Sequence, residues 1–409
     1  MKCRLCESKD LFKFLDLGHH PPSDQFRTAE QIQQPVTFYP LDVYKCNGCG
    51  FVQLGYVVPP EILYQDNYPY ESSTTETGRS HFRAFANAVV NEFGFNKSDL
   101  AVDIGSNVGV LLDGFLENGL RIVGVDPAPN ICEIARGRGV PTVNDFFGMN
   151  AVEQILPEHG RASVITGTNV FAHVDDLHAF MNAVQKLLDP KRGVFVIEAP
   201  HLVHLLNNLE FDTIYHEHLS YVSVKPLMPF FKKFGMEIIN VEQKDIHGGS
   251  IRVFVSGIGN YSVRTGVADV LAMEAVEKVE DHSALLQFAK AVAHNKSELN
   301  FLLHQLKKDG KRIVAVSAPA KGMTLLNYCK IDRELLDFVT EKSRLKIGKF
   351  TPGGHIPVTT DSKLLEEMPD YALLLAWNFS KEIMRNNREY MEKGGKFIIP
   401  VPSPRIVSI

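Results

Sequence analysis

Residues 100–126 constrain this chain more than any other stretch. They read L-A-V-D-I-G-S-N-V-G-V-L-L-D-G-F-L-E-N-G-L-R-I-V-G-V-D. An apolar run ends in Asp103, passes Gly105 and Gly109, and enters helical spacing at Val110, Leu111, Gly114 and Phe115. It then returns to a second apolar run closed by Asp126. That is one strand, loop, helix, strand unit.

The loop is D-x-G-x-x-x-G, not G-x-G-x-x-G. Dinucleotide folds use closely spaced glycines so that N–H groups at a helix start can approach a pyrophosphate. Here a carboxylate precedes the first glycine. Asp103 suits an ammonium group or ordered water, and Gly105 lets the backbone come close to a ligand without phosphate. Asp126 falls about twenty residues on, where a carboxylate can accept hydrogen bonds from both hydroxyls of a ribose. S-adenosylmethionine meets these demands, and the stretch resembles the cofactor motif of class I S-adenosylmethionine methyltransferases. A nicotinamide fold and a structural turn are the competing readings of so short a motif.

The segments that follow favour the methyltransferase. Residues 140–143 read as a third strand, ending in Asn144, Asp145, Phe146 and Phe147, where Asp145 and Phe146 could bracket an adenine by hydrogen bond and stacking. Residues 162–166 read as a fourth strand, leading into G-T-N-V-F-A-H-V-D-D with Asn169 and His173. Ligands of open α/β sheets sit off such carboxyl ends, so Asn169 joins the cofactor set. His173 could serve the site or cap the next helix. Residues 193–199 read as a fifth strand. The runs 236–241 and 251–256, joined through H-G-G-S, read as an antiparallel hairpin closing a parallel sheet.

The cysteines point to metal. Cys3 and Cys6, then Cys46 and Cys49, form two C-x-x-C knuckles, while Cys132 and Cys329 stand alone. In a reducing compartment such pairs hold zinc more readily than disulfides. Four thiolates make a closed, structural tetrahedral site. A rubredoxin-like iron site would need an electron partner. The long insert between the knuckles carries His19 and His20, expected in a loop packed on the next domain.

A chain of 409 residues holds two or three domains. Its formal net charge of -5 supplies no basic face for nucleic acid. No apolar run reaches membrane-spanning length, and Met1-Lys2-Cys3 opens a folded motif with no signal peptide, so the expected compartment is the cytosol.

The densest chemistry lies in F-D-T-I-Y-H-E-H-L-S-Y, residues 211–221, between the fifth strand and the hairpin. Tyr215, His216, Glu217 and His218 admit three readings. His216 and His218 could ligate a metal, though H-x-H is not the helical H-E-x-x-H. They could form a structural network in which Glu217 fixes a tautomer. One histidine could instead act as a general base oriented by its neighbours. Earlier, Y-P-Y-E-S-S places Tyr70 in an aromatic segment that either packs against the following helix or reaches the site.

Taken in order, the double knuckle, Y-P-Y-E-S-S, D-I-G-S-N-V-G, N-V-F-A-H-V, F-D-T-I-Y-H-E-H-L-S-Y, H-G-G-S-I-R and A-P-A-K-G-M-T-L-L-N-Y resemble the zinc-containing sugar C-methyltransferases of branched-chain deoxysugar biosynthesis. The resemblance covers nearly the whole chain. It implies C-methylation of a nucleotide-linked 4-keto-6-deoxy sugar, of the dTDP type, next to the ketone and at C3 in preference to C5. His218 is then the base, with Tyr215 and Glu217 positioning it or binding sugar, and Tyr70 and His173 near the enolate and the methyl group. His247, Ser250 and Arg252 are expected on the substrate.

The C-terminal third begins with helical spacing over residues 266–310 and continues as a second α/β unit, with strands at 312–316, 371–377 and 396–401. The family commonly has a glycine-rich turn before A-P-A-K-G, whereas this chain has Ala315-Val316-Ser317. Close approach of a second pyrophosphate is therefore harder there. Lys321, with Thr324, is expected on the nucleotide diphosphate, with Lys346, Lys349 and His355 as further cations or surface charges.

The reading is an α/β protein in three parts: a zinc-binding lobe (1–65), a class I methyltransferase Rossmann-like domain (66–262), and a helical plus Rossmann-like substrate-binding domain (263–409). No nucleic-acid or membrane partner is expected, and a monomer is compatible with the sequence. A zinc-ribbon RNA methyltransferase shares the knuckles and cofactor loop but calls for a basic face. A non-catalytic nucleotide-sugar binding module has no need of intact D-x-G-x-x-x-G and Y-H-E-H runs.

Overall fold

The computed structural model describes residues 1–64, 76–246 and 248–409. Three sheets organise them. In the N-terminal lobe, β1 (Leu11–His20), β2 (Tyr39–Cys46) and β3 (Val52–Leu54) pair antiparallel in that order. Cys3 and Cys6 precede the first strand, Cys46 ends the second, and Cys49 lies in the turn to the third. His19 and His20 are not in a loop. They end β1 opposite Pro40 and Tyr39, because register shifts at 13–15 and 16–19, with Gly18 at φ 84, let the strand continue past the glycine.

The central sheet contains β4 (Leu100–Ile104), β5 (Arg121–Asp126), β6 (Thr142–Asn144), β7 (Val164–Thr168) and β8 (Val194–Pro200), all parallel. A two-residue strand, β9 (Ser220–Tyr221), leaves this domain and pairs with β3. The hairpin β10 (Met236–Lys244) and β11 (Ser250–Gly257) completes the sheet, with β11 antiparallel to β8. The strand order is β10-β11-β8-β7-β4-β5-β6. The order reverses between β4 and β7, so the carboxyl ends of these two strands open the crevice where α/β sheets bind ligands.

Helices Thr265–Val276 and His282–Lys308 lead to the third sheet. It holds β12 (Ile313–Val316), β13 (Val339–Glu341), β14 (Val358–Thr360), β15 (Tyr371–Leu374), β16 (Lys396–Ile399) and β17 (Arg405–Val407), in the order β14-β13-β12-β15-β16-β17. Three of these, β13, β14 and β17, have three residues each, too few to show a strand period in sequence.

One apolar cluster runs from Leu41 and Val43 of the N-terminal lobe through Phe211, Ile214 and Leu219 to Val314 and Leu373 of the third sheet. The F-D-T-I-Y-H-E-H-L-S-Y segment is therefore core to both flanking parts. Burying its apolar residues on two sides fixes a stretch that has only a single short helical turn, Phe211–Thr213, and two strand residues of its own.

Candidate active site

The four knuckle sulfurs lie within 4.8 Å of one another, with Cys3 and Cys49 Sγ 3.6 Å apart and Cys6 and Cys46 Sγ 3.5 Å apart. Zinc at about 2.3 Å from each of four thiolates requires a tetrahedral edge of about 3.8 Å. The sulfurs fit that ion and fill its coordination, which makes the site structural. Among the described residues no other group of three or more histidines, cysteines or carboxylates comes together for a metal. His216 and His218 diverge: His216 Nε2 lies 3.3 Å from Tyr39 O and His218 Nδ1 2.7 Å from Thr213 O.

At the switch point, Gly105 (φ 63) and Gly109 (φ 85) adopt backbone that favours glycine, and a Cβ on either would lie 2.5 Å from Val170 Cγ2 or 2.7 Å from Val140 Cγ2. Asp103 is buried and accepts a 2.6 Å hydrogen bond from Thr166 Oγ1, and burial pushes its carboxyl up to about 7. Asp126 accepts from the Asn107 and Ala128 N–H groups at 3.0 and 2.9 Å. Each of its oxygens retains acceptor capacity, and burial raises its pKa as well. Among the described residues the buried Ser106 and Thr168 hydroxyls find no partner. Carboxylates, unpartnered hydroxyls and bare backbone at one crevice fit an S-adenosylmethionine, which carries an ammonium and a ribose for such carboxylates to meet. Asn169 follows β7 with φ 57, and its N–H donates to Glu198 O at 2.7 Å. Asp145 is half-buried, and Phe146 is exposed with its ring 6.2 Å from that of Tyr64.

The histidines meet beside this crevice. The His173 and His218 rings are 5.0 Å apart, and Tyr215 lies over His218 at 3.9 Å. Asn169, His173, Thr213, His218 and Ser220 line one pocket. A carbonyl only accepts, so Nδ1 of His218 carries a hydrogen, and in the neutral ring the lone pair is on Nε2. His173 is half-buried, desolvation of its ring holds its pKa well below the usual imidazole value, and its Nδ1 is 3.0 Å from Tyr64 OH. His216 turns away from the pocket toward the N-terminal lobe, and burial pushes it down to about 4. Glu217 is buried in the same loop. Tyr70 and His247 lie outside the described residues.

Other expected residues contact the protein itself. Arg252 forms two bonds to Glu198 Oε2, at 2.9 and 2.6 Å, and lies 3.5 Å over the Phe85 ring. His81 Nε2 meets the other Glu198 oxygen at 2.5 Å. Burial acts to raise the Glu198 pKa, but the His81 hydrogen bond and the Arg252 charge outweigh it and hold the carboxyl below its usual range. Ser250 Oγ donates to Ile246 O at 3.1 Å. Lys321 Nζ is 3.5 Å from Asp212 and 4.2 Å over Trp377, while Thr324 Oγ1 donates to Ile214 O at 3.0 Å. Both therefore grip the histidine loop. Lys346 is buried against Asp24 and Ala318 O.

The sequence reading passed over three contributors: Tyr64 on His173, Arg4 beside the zinc knuckle, and the Asp212 to Trp377 bond of 2.7 Å. Tyr64 opens the aromatic run that carries Tyr70, and Trp377 is the chain's single tryptophan, which are the signals that could have drawn attention to them.

Three family models cover the chain: "Putative zinc binding domain" at residues 3–64, "Methyltransferase domain" at 79–241 and "C-methyltransferase C-terminal domain" at 245–402. C-methyltransferase NovU of Streptomyces niveus is 36% identical over 408 residues, spanning 100% of this chain and 97% of the relative. Among solved structures, an S-adenosylmethionine-dependent methyltransferase from Clostridium acetobutylicum aligns with 44% of this chain and 92% of its own, at 14% identity and TM-score 0.36. Magnesium protoporphyrin IX methyltransferase (ChlM) from Synechocystis with bound SAH aligns with 44% of this chain and 82% of its own, at 12% identity and TM-score 0.35. The domain order, the full-length relative and the crevice chemistry agree: the chain belongs to the C-methyltransferases that carry an N-terminal zinc-binding domain, and it is an S-adenosylmethionine-dependent enzyme.

Proposed function

We propose that the protein methylates a nucleotide-linked 4-keto-6-deoxy sugar, of the dTDP type, at the carbon next to the C4 ketone, C3 in preference to C5. The observation that carries this reading is the His218 bond to Thr213 O, which places the hydrogen on Nδ1 and makes Nε2 the basic nitrogen of the neutral ring, in the pocket shared with His173. A sugar carbon is no nucleophile until a proton beside a carbonyl is removed, so C-methylation requires such a base.

His218 Nε2 takes the α proton, and the electron pair of that C–H bond moves into an enolate whose charge rests on the ketone oxygen. S-adenosylmethionine, which Asp103 and Asp126 would hold at the crevice, would supply the electrophilic methyl group for the enolate carbon and leave as S-adenosylhomocysteine. His218 then returns its proton to solvent. Tyr215, packed on His218, orients the ring or a sugar hydroxyl. His173 is kept neutral by burial. A neutral imidazole beside the base avoids the like-charge penalty when His218 becomes cationic. Tyr70, His247 and Ser250 complete the proposed sugar contacts. Lys321 has three donors and keeps capacity for a phosphate oxygen beyond its Asp212 contact. The four-thiolate zinc site has no open position and serves the lobe's fold.

The test is mass spectrometry of nucleotide-linked 4-keto sugars after incubation with enzyme and S-adenosylmethionine in deuterated water. Gain of one methyl supports the reading, and the α carbon at which unmethylated substrate takes up deuterium identifies the site opened. A panel showing neither methyl gain nor deuterium uptake would refute it.

A further inference from the structure

Arg4 lies between two knuckle cysteines, yet its side chain leaves the zinc site and ends among the segments that carry the histidines. Its guanidinium is buried, with the side chain 6% exposed. Nε donates to Asp175 Oδ1 at 3.0 Å, and Nη1 donates to Leu54 O at 3.0 Å and to Leu219 O at 3.2 Å. Leu219 directly follows His218, and Asp175 lies two residues after His173. The Leu219 carbonyl also accepts the Leu54 N–H at 2.9 Å, across the join between β3 and the histidine loop. The Arg4 backbone N–H, in turn, donates to Gln53 Oε1 at 2.9 Å.

We propose that Arg4 is a positioning residue, through which the zinc knuckle sets the placement of His218 and His173 for proton abstraction. This rests on the reading of His218 as the base. A guanidinium is a rigid planar fork, so one side chain bonded to Asp175, Leu54 and Leu219 fixes the spacing of three chain segments. Space-filling alone calls for no charge here, since an apolar side chain of similar volume avoids the desolvation cost of a buried cation. Nor does ion pairing account for it: Asp175 is 61% exposed, and pairs with so exposed a partner contribute little. What the fork adds is direction, delivered to the carbonyl adjoining the base and to the loop of its neighbour. The knuckle anchors the other end, because Cys3 and Cys6 hold the Arg4 backbone on both sides.

The experiment uses full-length, zinc-loaded enzyme and a dTDP-linked 4-keto-6-deoxy sugar in deuterated water. It compares wild type with Arg4→Met, Arg4→Lys, Asp175→Ala and His218→Ala. The readouts are deuterium uptake at the α carbon, kcat and KM for the sugar, S-adenosylmethionine affinity and zinc content. Arg4→Met is expected to keep its zinc and its cofactor affinity within about twofold while α exchange and kcat fall about 10-fold to 100-fold, the cost of displacing a reacting group by about an ångström. Arg4→Lys, a point charge without the fork, is expected to stay depressed. Asp175→Ala, at an exposed position, loses one anchor and is expected to fall by about three- to tenfold, which decides the matter if Arg4→Met does not fold. Exchange within twofold of wild type in Arg4→Met, or in Asp175→Ala should the former not fold, overturns the proposal. So does a fall in exchange that only parallels loss of zinc. Failure of the underlying reading looks different: His218→Ala then exchanges like wild type.

Discussion

His218 Nδ1 lies 2.7 Å from the carbonyl oxygen of Thr213, a contact within one loop that decides which ring nitrogen can accept a proton. Replacing His218 by alanine removes the proposed base without touching the crevice at β4 and β5. We expect methyl transfer and α-deuterium exchange to fall by about 10²- to 10⁴-fold, the usual worth of a positioned base. The S-adenosylmethionine dissociation constant, read by calorimetry, stays unchanged. Near wild-type turnover would take His218 out of the role.

Asp103 gives a pH dependence whose sign can be worked out. Its native carboxyl holds a proton up to about 7, whereas an unfolded aspartic acid loses it near 3.9. The native state thus binds more protons across that window. This group's contribution to stability is full below the unfolded value and is lost as pH rises toward the native one. A cofactor ammonium prefers the ionised carboxylate, so binding expels the proton below about pH 7. Between about pH 5.5 and 7 the ammonium remains charged, and affinity should tighten by up to about tenfold per pH unit. Calorimetry in buffers of different ionisation heat should register the released proton. Asp103→Asn should bind more weakly, with a flat profile; a profile as steep as wild type would exclude Asp103 as its origin.

What was legible in the chain followed from locality. The unit from Leu100 to Asp126 and the hairpin onto β8 announce themselves by apolar runs and by glycines at fixed offsets. The knuckles do so by spacing, and Tyr215 and His218 by crowding of titratable groups in one loop. The illegible part is long-range. Thr324 and Lys321 sit in a helix start that reads as a ligand contact, but the structure brings them to a loop 110 residues away, at Ile214 and Asp212. Arg4 meets Leu219 across a separation of 215 residues. The join of β3 to β9 involves two residue pairs, below any periodic signal. Arg252 has a cation's usual invitation to substrate, yet Glu198, which ends an apolar run in sequence, holds it inside the sheet.

Zinc removal tests the knuckle cluster directly. Elemental analysis should find one zinc per chain, and Cys46→Ser or chelation should remove it. The lobe's core is continuous with the histidine loop through Leu41, Val43 and Leu219. Metal loss should therefore lower the thermal midpoint by about 10 °C, as expected for several kcal/mol in a chain of this size. An unaltered midpoint in demonstrably zinc-free protein would make the metal dispensable to the fold.

The third sheet grips the loop on the other side of His218, and this contact has its own signature. Asp212 and Ile214 flank Thr213, whose carbonyl holds His218 Nδ1. Asp212 Oδ2 accepts from Trp377 Nε1 at 2.7 Å, and burial raises its pKa while the nearby Lys321 charge acts the other way. Ile214 O accepts from Thr324 Oγ1 at 3.0 Å. Thr324→Val keeps the shape and deletes one buried hydrogen bond, a cost of about 1–3 kcal/mol because the carbonyl is left unsatisfied. If the grip serves only the fold, that loss appears in the thermal midpoint alone. If it also aims His218, α-deuterium exchange falls with it by about tenfold while cofactor affinity is unchanged. Asp212→Asn adds an optical check, because Trp377 is the sole tryptophan and its emission reports this bond without interference. An amide oxygen can still accept from the indole, so the emission should hold near its wild-type position in Asp212→Asn and shift in Asp212→Leu. Exchange that follows the emission across the two variants ties the sheet to the chemistry; exchange indifferent to both leaves the third sheet with a structural part only.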